Sequence, residues 1–243
     1  MAADANNHEP LRQLQSQVAV AERYGLVLLA KTQGNVGWAA QLFRQETLAR
    51  TIAKIGVSEE MAARHLAAHQ FNLAAALQGI DEELYSVTER ILRRCKDKQE
   101  DALHDIALAI AEQTGVTIYW TDCDSWAFRQ LQRQRPACAC VLAVLQWLDY
   151  ESWETFEVAL HYCLPAVLSY LRHQLRRPGL AMGLWKARQL EERLSNQLVI
   201  RRPRHGMAGK PDPEYLENLF QQQRPALIAA LYRHVQQHLP QFP

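Results

Sequence analysis

The residue types best suited to chemistry in this chain are five cysteines, nine histidines and an uneven supply of arginines. Cys123, Cys138-Ala-Cys140 and His161-Tyr-Cys163 offer soft ligands for zinc. Their Cys-x-Cys and His-x-Cys spacings differ from the two-residue spacing of zinc knuckles, and the plainer reading is of structural thiols buried in an apolar helix. His65 and His69 stand one helical turn apart, as do His234 and His238. Neither pair encloses the Glu of the zinc-protease arrangement, and both are expected on solvated faces. Gly34-Asn-Val-Gly37 lacks the Lys-Ser/Thr of a phosphate loop, and Asp122-Cys-Asp124 is a small acidic turn with no partner set. The sequence therefore points to a non-enzyme, with no metal and no cofactor.

Arginine supplies a stronger pattern. Between Arg172 and Lys210 stand ten basic side chains (Arg172, Arg176, Arg177, Lys186, Arg188, Arg193, Arg201, Arg202, Arg204 and Lys210) against Glu191 and Glu192, a net of +8. Guanidinium forks match phosphate oxygens, and an Arg-Arg-Pro-Arg loop could track a nucleic-acid backbone. The competing reading is a solvated helix face paired internally, with Asp149, Glu151, Glu154 and Glu157 attracting the basic segment across a helix pair. A smaller basic set, Arg44, Arg50 and Lys54, lies in the first third of the chain.

These side chains must be positioned by helices. Composition is ordinary for a globular protein, at 48% apolar and 22% charged with a net charge of +1, so a binding signal has to be local. Apolar residues recur at three- and four-residue spacing, as in Val36, Ala39, Ala40 and Phe43, in Leu48, Ile52 and Ile55, and in Ile106, Ala109 and Ile110. Val116–Trp120 is the one strand candidate, too short to make a sheet alone. The fold class is all-α. Met1–Pro10 has no export signal, the apolar runs are too short to span a bilayer, and an odd cysteine count suits a reducing cytoplasm, so the expectation is a cytoplasmic protein without a membrane partner.

The chain also repeats itself. Leu29–Phe43 lies over Leu66–Ile80 without a gap, at an offset of 37 residues, with Gln33 over Gln70, Asn35 over Asn72 and Ala39 over Ala76. In each copy a helix ends at a Gln-x-Asn turn, and the Asn is placed to cap the next helix. Small alanines then permit close crossings. Further helices are expected to begin near Glu46 and near Ser58, the latter after Gly56 as a stop. In the second half, apolar helices are expected near 136–148 and 152–173, the latter kinked at Pro165, and a closing helix from Pro213 is expected to be interrupted at Pro225.

On these residues two resemblances rest. Thr32-Gln-Gly-Asn35, Ala39-Ala40, Thr47-Leu48 and Lys54-Ile-Gly56 resemble the helix-turn-helix of Fis and NtrC-type regulators over residues 32–57, with the turn falling on Leu42–Glu46. Gly56-Val-Ser-Glu-Glu, Ala62, Leu66, Asn72, Ala76 and Ile80 are similar to the three-helix pattern of ubiquitin-associated domains. The first implies a regulatory or accessory protein that binds double-stranded DNA; the arginine pattern then supplies Arg44, Arg50, Lys54, Arg172, Arg176, Arg177, Arg201, Arg202, Arg204 and Lys210 as contacts. The alternative is a helical adaptor that grips another protein or itself. The expected organisation is a flexible amino terminus over 1–17, tandem helical hairpins over 18–115, a helical domain with an aromatic core over 116–200, a basic linker over 201–213 and a closing helix over 214–243.

Overall fold

A computed structural model describes residues 8–117, 123–200 and 213–243. Those residues form helices and no strand, so the fold is all-α. Val116 is a buried core residue, and the rest of the strand candidate, from residue 118, lies outside the described residues. The chain divides into two compact units, Met1–Ser86 and Val87–Pro243.

The first unit contains α1 (His8–Gln17), α2 (Glu22–Lys31), α3 (Val36–Ile55), α4 (Glu59–Ala68) and α5 (Leu73–Leu84). The repeated hairpin is visible in its backbone. Gln33 and Gly34 take φ of 53° and 82°, and their counterparts Gln70 and Phe71 take 52° and 60°. In both copies the second of these N–H groups reaches back five residues, Gly34 to the Leu29 carbonyl at 2.8 Å and Phe71 to the Leu66 carbonyl at 2.7 Å. Asn35 Oδ1 then accepts from the Trp38 N–H at 3.0 Å, and Asn72 Oδ1 from the Ala75 N–H at 3.2 Å. Both caps satisfy a donor that the helix start leaves open.

Two expectations for this unit are corrected. Leu11 and Leu14 on α1 are buried in the core with Leu28, Ala39, Ala40 and Phe43, so much of the stretch expected to be a flexible terminus is a packed helix. No turn interrupts α3 at Leu42–Glu46, and no helix begins at Glu46. Gln41–Glu46 holds no Gly, Pro or capping residue, while Phe43, Thr47 and Thr51 are buried along one side. The helix continues to Gly56, whose left-handed φ of 75° ends it.

The second unit contains α6 (Val87–Arg94), α7 (Gln99–Thr114), α8 (Trp126–Gln134), α9 (Pro136–Trp153), α10 (Phe156–Ala159), α11 (Leu164–His173), α12 (Pro178–Ile200) and α13 (Pro213–Gln237), then a 3-10 turn over Leu239–Gln241. Its axis is α9, buried without interruption from Ala137 to Leu148 because it is apolar all round. Helices α7, α8, α10, α11 and α13 pack on it. The Trp147 indole donates to the Ala159 carbonyl at 2.7 Å and meets Phe220 edge-on at 5.1 Å, tying α9 to α10 and α13.

Here too the boundaries differ from expectation. A division near residue 115 falls inside this unit, because Leu103, Ile106 and Ile110 of α7 belong to the same core as α9 and α13. The helix expected over 152–173 is three pieces: α9 ends at Trp153, Thr155 caps α10, and Pro165 falls in the first turn of α11, where its missing N–H costs nothing. Pro225, by contrast, lies inside an unbroken α13, held by the buried Phe220, Leu227, Leu231 and Val235.

Candidate functional site

The basic residues singled out by sequence fall into two environments. On α3, Arg44 lies over the Phe71 ring at 5.5 Å, and Arg50 lies over the Tyr24 ring at 5.3 Å. Arg50 also bonds the Tyr24 hydroxyl at 3.2 Å and pairs with Glu46 at 3.7 Å, while that hydroxyl donates to Glu46. Arg44 and Arg50 are separated by roughly 120° around the helix. Lys54 is exposed and makes no ion pair among the described residues. The structure therefore does not gather Arg44, Arg50 and Lys54 into one phosphate-facing row.

Arg172, Arg176 and Arg177 are placed at the end of α11 and the turn into α12, and none has an ion-pair partner among the described residues. Arg176 adopts φ 53°, and the Arg177 N–H reaches back to the Leu171 carbonyl at 2.6 Å, so the chain reverses sharply before Pro178 opens α12. Arg201, Arg202, Arg204 and Lys210 lie outside the described residues. Two of the four acidic residues expected as internal partners, Asp149 and Glu151, turn elsewhere. Glu151 accepts from Gln221 at 2.6 Å, and Asp149 lies 3.6 Å from His104. Burial pushes both carboxyls above the usual carboxylate range. Within α12 itself, Arg188 pairs with Glu192 at 2.8 Å, and Glu191 bonds His161 at 2.6 Å.

Two cavities meet at Arg176 and Arg177, which line both. The first is a groove of about 510 Å³ between α12 and α13. Its α12 wall carries Gly179, Gly183 and Ala187 at four-residue spacing, and a Cβ built on either glycine meets nothing within 4 Å. Those missing side chains leave the channel open. Leu216, Leu219, Phe220 and Leu227 of α13 form the opposite apolar wall. Met182 and Trp185 of α12 are each 44% exposed and Leu219 is 40% exposed, so large apolar side chains continue onto the surface of these two helices.

The second cavity, about 620 Å³, is bounded by Pro136 and Ala137 at the start of α9, by the α11–α12 turn and by α13. Arg233 and His234 of α13 join Arg176 and Arg177 in its lining. His234 is only 4% exposed, which corrects the expectation that His234 and His238 share a solvated face. Burial, with His238 beside it, pushes the His234 imidazole down to about 4. In the first histidine pair only His65 departs from expectation: it is largely covered and bonds Glu83 at 2.7 Å, while His69 is exposed, and both rings pack over Gly79.

Sequence reasoning passed over Arg233, Leu219 and the glycine wall, and it placed His234 on a solvated face instead of in this cavity. One signal was present: Leu227, Leu231 and His234 share the spacing of a buried helical stripe, which places the imidazole inward. The cysteines show no such convergence. Among the described residues no group of metal-ligating side chains forms, and burial pushes the Cys138 thiol up to about 12 and raises Cys140 as well, so both pack as small apolar groups. No helix among the described residues is long and apolar enough to cross a membrane.

Comparison with known proteins places the groove, and all of the second cavity's lining except Gln241, inside a shared region. The model of the YfbN C-terminal domain matches residues 86–240, beginning one residue before the second unit. The Escherichia coli K12 protein named "Uncharacterized protein YfbN" is 33% identical over 153 residues, covering 63% of this chain and 62% of that relative's length. The match thus spans less than two thirds of the relative. No solved structure matches the chain. From the span of that match, the chain belongs to the YfbN C-terminal domain family.

Proposed function

We propose that this protein is a helical adaptor, a binding protein rather than an enzyme, whose second unit holds an acidic, amphipathic helix of a partner protein in the α12–α13 groove. The observation that carries this reading is the groove itself: an apolar channel of about 510 Å³ with Arg176 and Arg177 at its lining. An inserted helix would lay apolar side chains against Leu216, Leu219 and Leu227 and present carboxylates to the two guanidiniums. The exposed Trp185 and Met182 extend the apolar area available to it. The location of the groove within the family-matched residues adds support, since a feature of the shared region serves the family's common role better than the helices before residue 86. The duplex-DNA reading has less behind it, because the turn it requires at Leu42–Glu46 is helix and Arg50 is engaged by Glu46 and Tyr24.

The test is a fluorescence titration of the full chain with synthetic amphipathic helices, one acidic on its polar face and one basic, beside a mixed-sequence DNA duplex at two salt concentrations. The acidic helix is expected to bind at roughly micromolar concentration and the basic one far more weakly. Gly183→Leu fills the channel at a position where a Cβ meets no neighbour, and is expected to weaken binding by about tenfold or more. Equal binding of both peptides, or an undiminished Gly183→Leu variant, sinks the proposal. Tight, steeply salt-dependent duplex binding in the absence of peptide binding replaces it with the DNA reading.

A further inference from the structure

We propose that the second cavity, where the start of α9, the α11–α12 turn and α13 meet, is a binding site for a small phosphorylated anion. This does not rest on the groove reading, although Arg176 and Arg177 border both spaces.

Charge is the first argument. Arg176, Arg177 and Arg233 line the cavity together with His173, His234 and His238, and no carboxylate does so among the described residues. Neither Arg176 nor Arg233 has an ion-pair partner among those residues, and Arg177 makes only a long contact of 3.5 Å to the Ala226 carbonyl. Three guanidiniums around one space repel one another, and an anion between them reverses the sign of that interaction. Guanidinium forks favour a tetrahedral oxyanion, which takes two parallel N–H bonds from each.

A buried group is the second, independent argument. His234 lines the cavity at 4% exposure, and its Nε2 is enclosed without a hydrogen-bond partner among the described residues. Buried polar atoms are nearly always paired, and an orphan in a cavity wall marks a place where a ligand supplies the partner. His238 fixes the neighbouring geometry by donating from Nδ1 to the His234 carbonyl at 2.9 Å. With its proton on Nε2, the neutral His234 ring donates to a phosphoryl oxygen once the lining side chains around it part to admit the ligand. Pro136 and Ala137 at the start of α9 also border the space, with the Ala137 N–H already taken by Gln241 Oε1 at 3.0 Å.

Volume narrows the ligand. About 620 Å³ is more than inorganic phosphate fills and lies within the range of small-molecule sites. The chemical class is therefore a diphosphate, or a phosphate ester carrying a small organic body that the glutamines of the lining, Gln174 and Gln237, can bond.

Calorimetric titration of the full chain at low salt with pyrophosphate and with ATP tests this, with phosphorus NMR as a second readout of occupancy. One probe molecule is expected to bind per chain. Arg233→Ala and Arg176→Ala should each weaken it by about tenfold or more. Arg44→Ala, in the first unit, should leave it unchanged, as should Gly183→Leu, which closes only the groove. The proposal is overturned if neither probe binds at about 1 mM, if the Arg176→Ala, Arg233→Ala double variant binds as the parent does, or if Arg44→Ala weakens binding equally. Binding of a DNA duplex but of neither small probe overturns it as well. Circular dichroism establishes that the variants fold. Arg233 is exposed, so its truncation leaves the core intact.

Discussion

Polar groups are treated differently in the two units. In the first, Asn35, Ser58 and Asn72 each accept from a helix N–H, Arg64 and His65 converge on Glu83, and Arg50 is held by Tyr24 and Glu46. In the second, Thr88 Oγ1, Glu151 Oε2, Tyr170 Oη and His234 Nε2 are buried without hydrogen-bond partners among the described residues. Buried polar atoms left unpaired reduce stability, and natural chains retain them chiefly where function uses them. The contrast is a structural one, between polar residues that cap and pair helices in the first unit and polar atoms that the second unit leaves open, His234 among them in the cavity proposed above as a binding site.

The comparison breaks most sharply at the core. Trp147 is fully buried, donates to Ala159 and packs edge-on against Phe220. Trp147→Ala is expected to cost about 3–5 kcal/mol, enough to unfold the second unit near physiological temperature. The melting of the first unit, followed by calorimetry, should change little. Simultaneous loss of both transitions would show that the units do not fold independently.

Acid sharpens the contrast by a smaller amount. The depressed His234 remains neutral in the folded protein while the unfolded chain takes up a proton below its ordinary value of 6.5. Stability linked to it is complete above pH 6.5 and is lost as pH falls toward about 4. His238 from the same helix opposes its protonation further. Glu151 has the opposite sign: its raised carboxyl weakens the fold at neutral pH, and the penalty is relieved on acidification. Glu83 in the first unit is lowered by hydrogen bonds from Arg64 and His65, so its contribution is retained until below pH 4.5. The His234 share of the second unit's stability should therefore fall between pH 6.5 and 4.5, before Glu83's contribution is lost, so the melting temperature of His234→Leu should drop less on acidification over that range than the parent's. An unchanged slope in His234→Leu would assign it to other groups.

What could be read from sequence follows the range of the interactions. Asn35, Asn72, Ser58 and Gly56 act on neighbours within a few residues, and their caps and stop fall where local chemistry puts them. Gly115 also ends a helix as a left-handed residue, but ending a helix is not ending a domain. Only the packing of Ile106 and Ile110 onto α9 decides that boundary, and such packing joins residues far apart in the chain. The candidate site fails to show for the same reason. Arg176 and Arg177 were visible as charge, whereas Arg233 and His234 join them only after α13 folds back, and the groove depends on glycines on one helix facing leucines on another.

The smallest effect distinguishes a true structural repeat from two unrelated turns. Asn35 and Asn72 cap their helices from backbone conformations that nearly coincide, φ −75° and ψ 104° in the first copy and φ −71° and ψ 102° in the second. Asn35→Ala and Asn72→Ala are each expected to cost about 1 kcal/mol, because each removes one acceptor from a solvent-facing helix start. Their caps contact different residues, so the double variant should lose about the sum, measured by urea unfolding of the first unit. Costs that differ severalfold would mean that the two turns share a shape but not a role. In that case Phe71, which occupies a left-handed position where the first copy has Gly34 and supports Arg44 with its ring, is the residue that separates them.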